Sequence, residues 1–224
     1  MKIDLHAHSV YSRHPLWRNE AFGTPKQMID FAIKMGLGGL AITDHDSIKG
    51  ALEGLKYAKK LNDFLFVPGV EVTTKEGHVL ALGVRENIPK KLSIQETIDR
   101  IHDLGGMAIA PHPYAGFRAS SIKDAVRRYK FDAVEVINGG TRIKAIRKAY
   151  RVAKELKLPM VAGSDSHYWK DIGKIYNIIE CDSIDSLFRE IRKGRVVMKG
   201  RPFGFYSCAR LATKKFLRSI VSRL

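Results

Sequence analysis

Short apolar runs alternate with amphipathic stretches along most of this chain. Runs at 2–9, 39–43, 64–73, 78–83, 107–110, 131–138 and 159–163 are rich in branched or small apolar residues and have strand length. Between them, 25–35, 47–61, 93–104, 121–130, 141–156 and 184–193 carry apolar residues at helical spacing. Met28, Ala32 and Met35 share one face of the first of these, with Thr24-Pro25 as a start signal and Gly36 as a stop. A last apolar run at 195–198 precedes a basic tail. This order predicts a βα protein built on a parallel sheet. The runs at 64–73 and 78–83 are read as consecutive strands.

Polar residues fall at one place in this pattern. His45, His112, Asp165 and His167 each follow an apolar run, as residues do at the carboxyl ends of barrel strands, where barrel enzymes carry their chemistry. His6 and His8 are two apart on a strand and therefore share a face. Asp165 and His167 repeat that spacing. Glu71, His78, Asp44 and Glu135 occupy comparable strand-end positions. Seven of the eight histidines (6, 8, 14, 45, 78, 112 and 167) lie at strand ends or in the loop after the first strand, and only His102 sits inside an amphipathic helix. Burying so many imidazoles and carboxylates together is costly unless cations pair them. Histidine mixed with Asp and Glu, without Cys, selects Mn, Fe or Zn, and more than four ligands imply more than one ion.

At 224 residues and 45% hydrophobic, the chain suits one domain with one core. Cys181 and Cys208 form no pair of the kind found in disulfide frameworks or cysteine-built zinc sites. The opening MKIDLHAHS lacks the apolar stretch of a secretory signal, and no uncharged apolar run approaches membrane-spanning length, so a cytoplasmic protein without a transmembrane segment is expected. The net charge of +16 points to anionic partners. Arg192 to Leu224 holds ten Lys or Arg and no acid. With Phe203, Phe205, Tyr206, Phe216 and Leu217 among them, this tail suits nucleic-acid contact or a basic amphipathic helix packed on the barrel or on an anionic membrane surface.

Asp4-Leu-His-Ala-His-Ser9, Thr43-Asp-His-Asp46, Gly69-Val-Glu71, His112-Pro113 and Ser164-Asp-Ser-His167 stand in the order of the motifs of the polymerase and histidinol phosphatase (PHP) family, which the chain resembles over residues 2 to 200. The resemblance implies a distorted (β/α)7 barrel over 1–200, followed by the basic tail at 201–224, and two or three divalent ions hydrolysing phosphate esters. It implies that His6, His8, Glu71 and Asp165 hold one ion, with Glu71 bridging to a second held by His78 and His112. His45 and His167 would hold a third. The acidic ligand that the third site usually gains just after the first motif is replaced by Ser12-Arg13-His14, which makes His14 the candidate for that place.

Closely spaced cations would acidify a water and neutralise the leaving oxygen, so no protein nucleophile is needed. Asp4, Asp44 and Asp46 are expected to orient ligating imidazoles, although helix capping explains Asp46 equally well. Arg118, in the loop after His112, is the first candidate for gripping phosphate, ahead of Arg13 and Arg142. Three functions fit: hydrolysis of a phosphorylated small metabolite or nucleotide, a nuclease acting on RNA or DNA ends through the tail, and a non-catalytic scaffold. The complete ligand set weakens the third. An amidohydrolase opens with a related His-x-His, but Glu71 stands where that class places a bridging lysine.

Overall fold

The computed structural model describes residues 1–13, 20–116 and 120–203. His14, Arg118 and the tail beyond Phe203 lie outside them. The strands are β1 (Lys2–Asp4), β2 (Gly39–Ile42), β3 (Leu65–Thr73), β4 (His78–Leu82), β5 (Met107–Ala110), β6 (Ala133–Asn138), β7 (Met160–Gly163), β8 (Ile175–Ile178) and β9 (Val197–Gly200). The α-helices are α1 (Pro25–Lys34), α2 (Lys49–Ala58), α3 (Ile94–Asp103), α4 (Ile143–Glu155) and α5 (Ile184–Arg192).

Local chemistry starts the helices where the pattern places them. Thr24 with Gln27, Ser93 with Glu96 and Ser183 with Ser186 form reciprocal caps, each satisfying backbone donors that the first helical turn leaves open. In α3, Ile94, Thr97, Ile98 and Ile101 make one fully buried stripe.

One nine-stranded sheet runs in the order β7-β6-β5-β4-β3-β2-β1-β8-β9 and curls into a nearly closed barrel. Two devices join its ends. Beyond β1 the extended chain meets the segment after β7: His8 N–H donates to Ser166 O at 2.9 Å and Asp165 N–H to His6 O at 2.8 Å. Below them a buried side chain takes the place of a ladder. Asn177 of β8 accepts from Ala162 N–H at 2.8 Å and donates to Ala162 O at 2.7 Å, as a peptide group would. The α/β barrel class expected from the motifs is the observed one. No helix among the described residues is long and apolar enough to cross a membrane.

The architecture departs from the expectation in four places. β4 is antiparallel to both neighbours, because only a short turn separates it from β3 and a hairpin reverses direction. Gly69 permits that pairing, since a Cβ there would stand 2.6 Å from Ala81 O. The stretch 121–130 forms only a 3₁₀ turn, Lys123–Arg127. β8 was not anticipated, being four residues with a polar centre, and the last strand lies at 197–200 rather than 195–198.

Candidate metal centre

Glu71, on β3 and fully buried, is the hub. Its Oε2 lies 3.2 Å from His6 Nε2, 3.3 Å from His8 Nε2 and 3.1 Å from His45 Nδ1. Its Oε1 lies 2.9 Å from His78 Nδ1 and 3.0 Å from His112 Nε2. Asp165 Oδ1 comes within 3.1 Å of His8 Nε2 and 3.6 Å of His6 Nε2. His167 Nδ1 donates to Asp165 O at 3.0 Å. Among the described residues, three groups have ligand atoms within 4.8 Å of one another: His6, His8, Glu71 and Asp165; His45, Glu71 and His78; His8, His45 and His167. The first group is the set expected for the first ion. His6, His8 and Glu71 are sealed, whereas His45, His78 and His167 keep 12 to 16% of their side-chain surface, so the centre opens on their side.

Sequence reasoning missed Glu20. Its carboxylate, 2% exposed, stands 3.9 Å from His45 Nε2 and 3.8 Å from His167 Nε2, the two histidines expected to share the third ion, while His14 lies outside the described residues. A signal existed: Glu20 is the only acid between Asp4 and Asp30. Ser12 fastens it. The Ser12 hydroxyl donates to Glu20 Oε1 at 2.5 Å, accepts from His45 N–H at 3.0 Å and lies 3.3 Å from His8 Nδ1.

These bonds set the tautomers. With its proton given to Glu20, the Ser12 oxygen accepts from His8 Nδ1, which leaves His8 Nε2 a lone pair. His6 Nδ1 likewise donates to Glu135 Oε1 at 2.9 Å. The two Nε2 atoms then face each other at 3.1 Å beside the Glu71 and Asp165 carboxylates. Four acceptors in that arrangement require positive charge between them, and a divalent ion with N and O ligands fits. The buried His45 Nδ1 and His112 Nδ1 also make no hydrogen bond among the described residues.

Without an ion, protons answer the same need. Burial alone would depress His6 and His8, but Glu135, Glu71 and Asp165 lift His6 well above its ordinary value, and Asp165 and Glu71 raise His8 to about 9. Glu71 and Asp165 go the other way. Burial opposes their ionisation, yet the surrounding imidazoles hold both well below the usual carboxylate range. His45 is pushed down by burial, which the pull of Glu71 does not offset against His8, His78 and His167.

The acids expected to orient imidazoles bind backbone or hydroxyl instead. Asp44 accepts from the N–H and hydroxyl of Ser9, Asp46 from Thr73 N–H, and Asp4 from the N–H groups of Ser164, His6 and Gly173. They pin the motif loops to one another, because in each case the nearest donors are the peptide groups of crossing segments. Glu135 orients imidazole, while its second oxygen accepts from His112 N–H and Asn138 Nδ2. Asp46, His112 and Asp165 have φ of 48°, 30° and 50°, left-handed values that cost about 1–3 kcal/mol each and cluster at functional sites. Arg13 and Arg142 are exposed; Arg13 meets the site through its backbone N–H, donated to His45 O.

A barrel with histidines and carboxylates gathered on one rim presents the donor set of a divalent-metal centre, and comparisons place the chain among known proteins. A family model described as PHP-associated matches residues 144–196. An uncharacterized Methanocaldococcus jannaschii protein is 38% identical over 142 residues, covering 62% of this chain and 82% of its own. A probable phosphatase of Vibrio vulnificus is 26% identical over 212 residues, 78% of this chain and 81% of its own. The crystal structure of a two-domain Bacteroides vulgatus protein containing a predicted PHP-like metal-dependent phosphoesterase superposes with a TM-score of 0.72 at 18% identity, over 96% of this chain and 69% of that one. Together they show that the chain carries a PHP domain.

Proposed function

We propose that this protein hydrolyses a phosphate ester of a small metabolite or nucleotide with two or three divalent ions, Mn, Zn or Fe. The observation that carries the reading is the convergence of His6, His8, Glu71 and Asp165, whose Nε2 atoms and carboxylate oxygens face one another and need a cation, or protons in its place, between them. His6, His8, Glu71 and Asp165 would hold one ion, and Glu71 with His78 and His112 a second. His45, His167 and Glu20 would hold a third, with Glu20 in the role first given to His14. Bound divalent cations supply Lewis acidity, acidifying water and neutralising charge on ester oxygens.

The chain's own part is positioning. Ser12 and Glu135 keep the Nε2 lone pairs of His8 and His6 directed inward, and Asp44 holds the first motif through Ser9. His45, His78 and His167, at the open side, meet the ester first. The positive charge of the chain favours an anionic substrate over a neutral one.

The test is phosphate release from p-nitrophenyl phosphate, its bis-ester and a short nucleotide, by metal-stripped protein titrated with Mn and Zn, with His8→Ala as control. Turnover that needs the ion and disappears in the variant is expected. Ion binding without turnover of any substrate would overturn the reading in favour of a scaffold. Turnover of oligonucleotides alone, with steep salt dependence, would favour a nuclease.

A further inference from the structure

An apolar groove of about 470 Å³ lies between α4 and β9, lined by Ile137, Ile146, Tyr150, Val197 and Met198. Arg147 also lines it, Tyr150 and Val197 are 45% and 53% exposed, and Ile143, one turn before Ile146 on α4, is 61% exposed. Ile143, Ile146 and Tyr150 recur at 143, 146 and 150, which makes an apolar stripe on one face of α4. Exposed stripes of this kind mark a docking surface.

The chain supplies a segment that begins at one end of this groove. After β9, Phe203 N–H donates to Gly139 O at 2.8 Å, and its ring occupies the place where a Cβ on Gly139 would stand, 2.6 Å away. Gly139 lies in the loop that leads into α4. Phe203, the last described residue, therefore lies beside the loop that leads into the N-terminal end of the helix carrying the stripe. Within residues 204–224, Ala209, Ala212, Phe216 and Ile220 share one helical face with Leu217 and Leu224 beside it and Arg223 at its end, while Arg210, Lys214 and Arg218 recur every four residues on another, which also carries Leu211 and Val221. As a helix, 209–224 would extend about 24 Å, against roughly 20 Å for α4.

We propose that residues 204–224 cover this groove, with Phe216 and Ile220 seated on Ile146, Tyr150 and Val197 and the basic stripe turned outward. Tethering at Phe203 gives the segment an effective concentration of the order of mM, an advantage that a separate partner lacks. The attraction is apolar. α4 is itself strongly basic, with Lys144, Arg147, Lys148, Arg151 and Lys154, so charge opposes the docking and added salt strengthens it. The docked segment joins its stripe to that helix in one continuous basic surface.

Trypsin reads the arrangement directly, because Arg210, Lys214, Lys215 and Arg218 are cleavage sites. In the full chain these sites should be cut at least tenfold more slowly than in a free 204–224 peptide, and the ratio should hold or widen as salt is raised. Tyr150→Asp combined with Val197→Asp should return cleavage to the peptide rate without changing the melting temperature. If that variant fails to fold, Phe216→Asp with Ile220→Asp must give the same loss of protection. Cleavage of the unaltered chain at the peptide rate overturns the proposal, as does protection that survives both variants. Protection that grows with protein concentration overturns it in favour of a second copy of the chain on the groove.

Discussion

The barrel buries polar side chains in two places and resolves them in opposite ways. At the seam, Asn177 is fully buried and wholly satisfied: its amide returns to Ala162 both bonds that a neighbouring strand would have made. At the rim, His6, His8 and Glu71 are as deeply buried and Asp165 is nearly so, but their ring nitrogens and carboxylate oxygens converge on one another. Burial alone therefore does not identify a site. A buried polar group whose partners are all within the fold is a structural element, whereas one whose partners are further acceptors needs something from outside.

The sharpest way to break this contrast is to remove the hub. Glu71→Gln keeps the shape but takes away the charge that faces five imidazoles. Loss of a group that merely orients a ligand costs about 10–100-fold in metal affinity or activity, so loss of a shared ligand should exceed 100-fold. Measured by ion titration and by p-nitrophenyl phosphate turnover, a change below tenfold would place Glu71 among structural residues. The seam predicts the reverse profile. Asn177→Leu leaves the buried N–H and C=O of Ala162 unpaired, at about 1–3 kcal/mol for each. Urea unfolding should show a loss of roughly 2–6 kcal/mol, with turnover per folded molecule near the unaltered value. A turnover defect larger than the stability defect would mean that the two regions are coupled through β7.

Most of the site was legible because strand period and motif order operate over short distances. His6 and His8 had to share a face, and the apolar runs before His112, Asp165 and His167 set those residues at one end of the sheet. What escaped depends on long-range geometry. Glu20 belongs to no periodic segment and reaches His45 and His167 only because the loop after β1 folds over them. Glu135 was visible on β6 but without a role, since its bond to His6 spans 129 positions. Asn177 was hidden for a different reason: an asparagine in the middle of a four-residue apolar run argues against a strand, unless its side chain replaces the missing neighbour. The antiparallel setting of β4 was open to reading from the short connection at 74–77, which cannot hold a crossover.

The smallest expected effect tests what fills the rim when no ion does. In the ion-free chain His8 keeps its ring proton up to about pH 9: burial opposes the charge, but hydrogen bonds to Asp165 and Glu71 more than restore it. His6, lifted well above its ordinary value by Glu135, Glu71 and Asp165, behaves alike. Both values lie above that of an unfolded histidine, about 6.5. The stabilisation these protons bring to the ion-free fold is therefore complete below that value and is lost as pH rises toward and through about 9. A cation must displace the Nε2 protons, so its apparent affinity climbs with pH over the same interval and levels off above it. Calorimetric titration of the stripped protein at pH 7, in two buffers of different ionisation enthalpy, should show between one and two protons released for the first ion bound. No release would mean that the imidazoles are already neutral and that the carboxylates alone hold the ion-free rim together, which would erase the contrast with the self-sufficient seam.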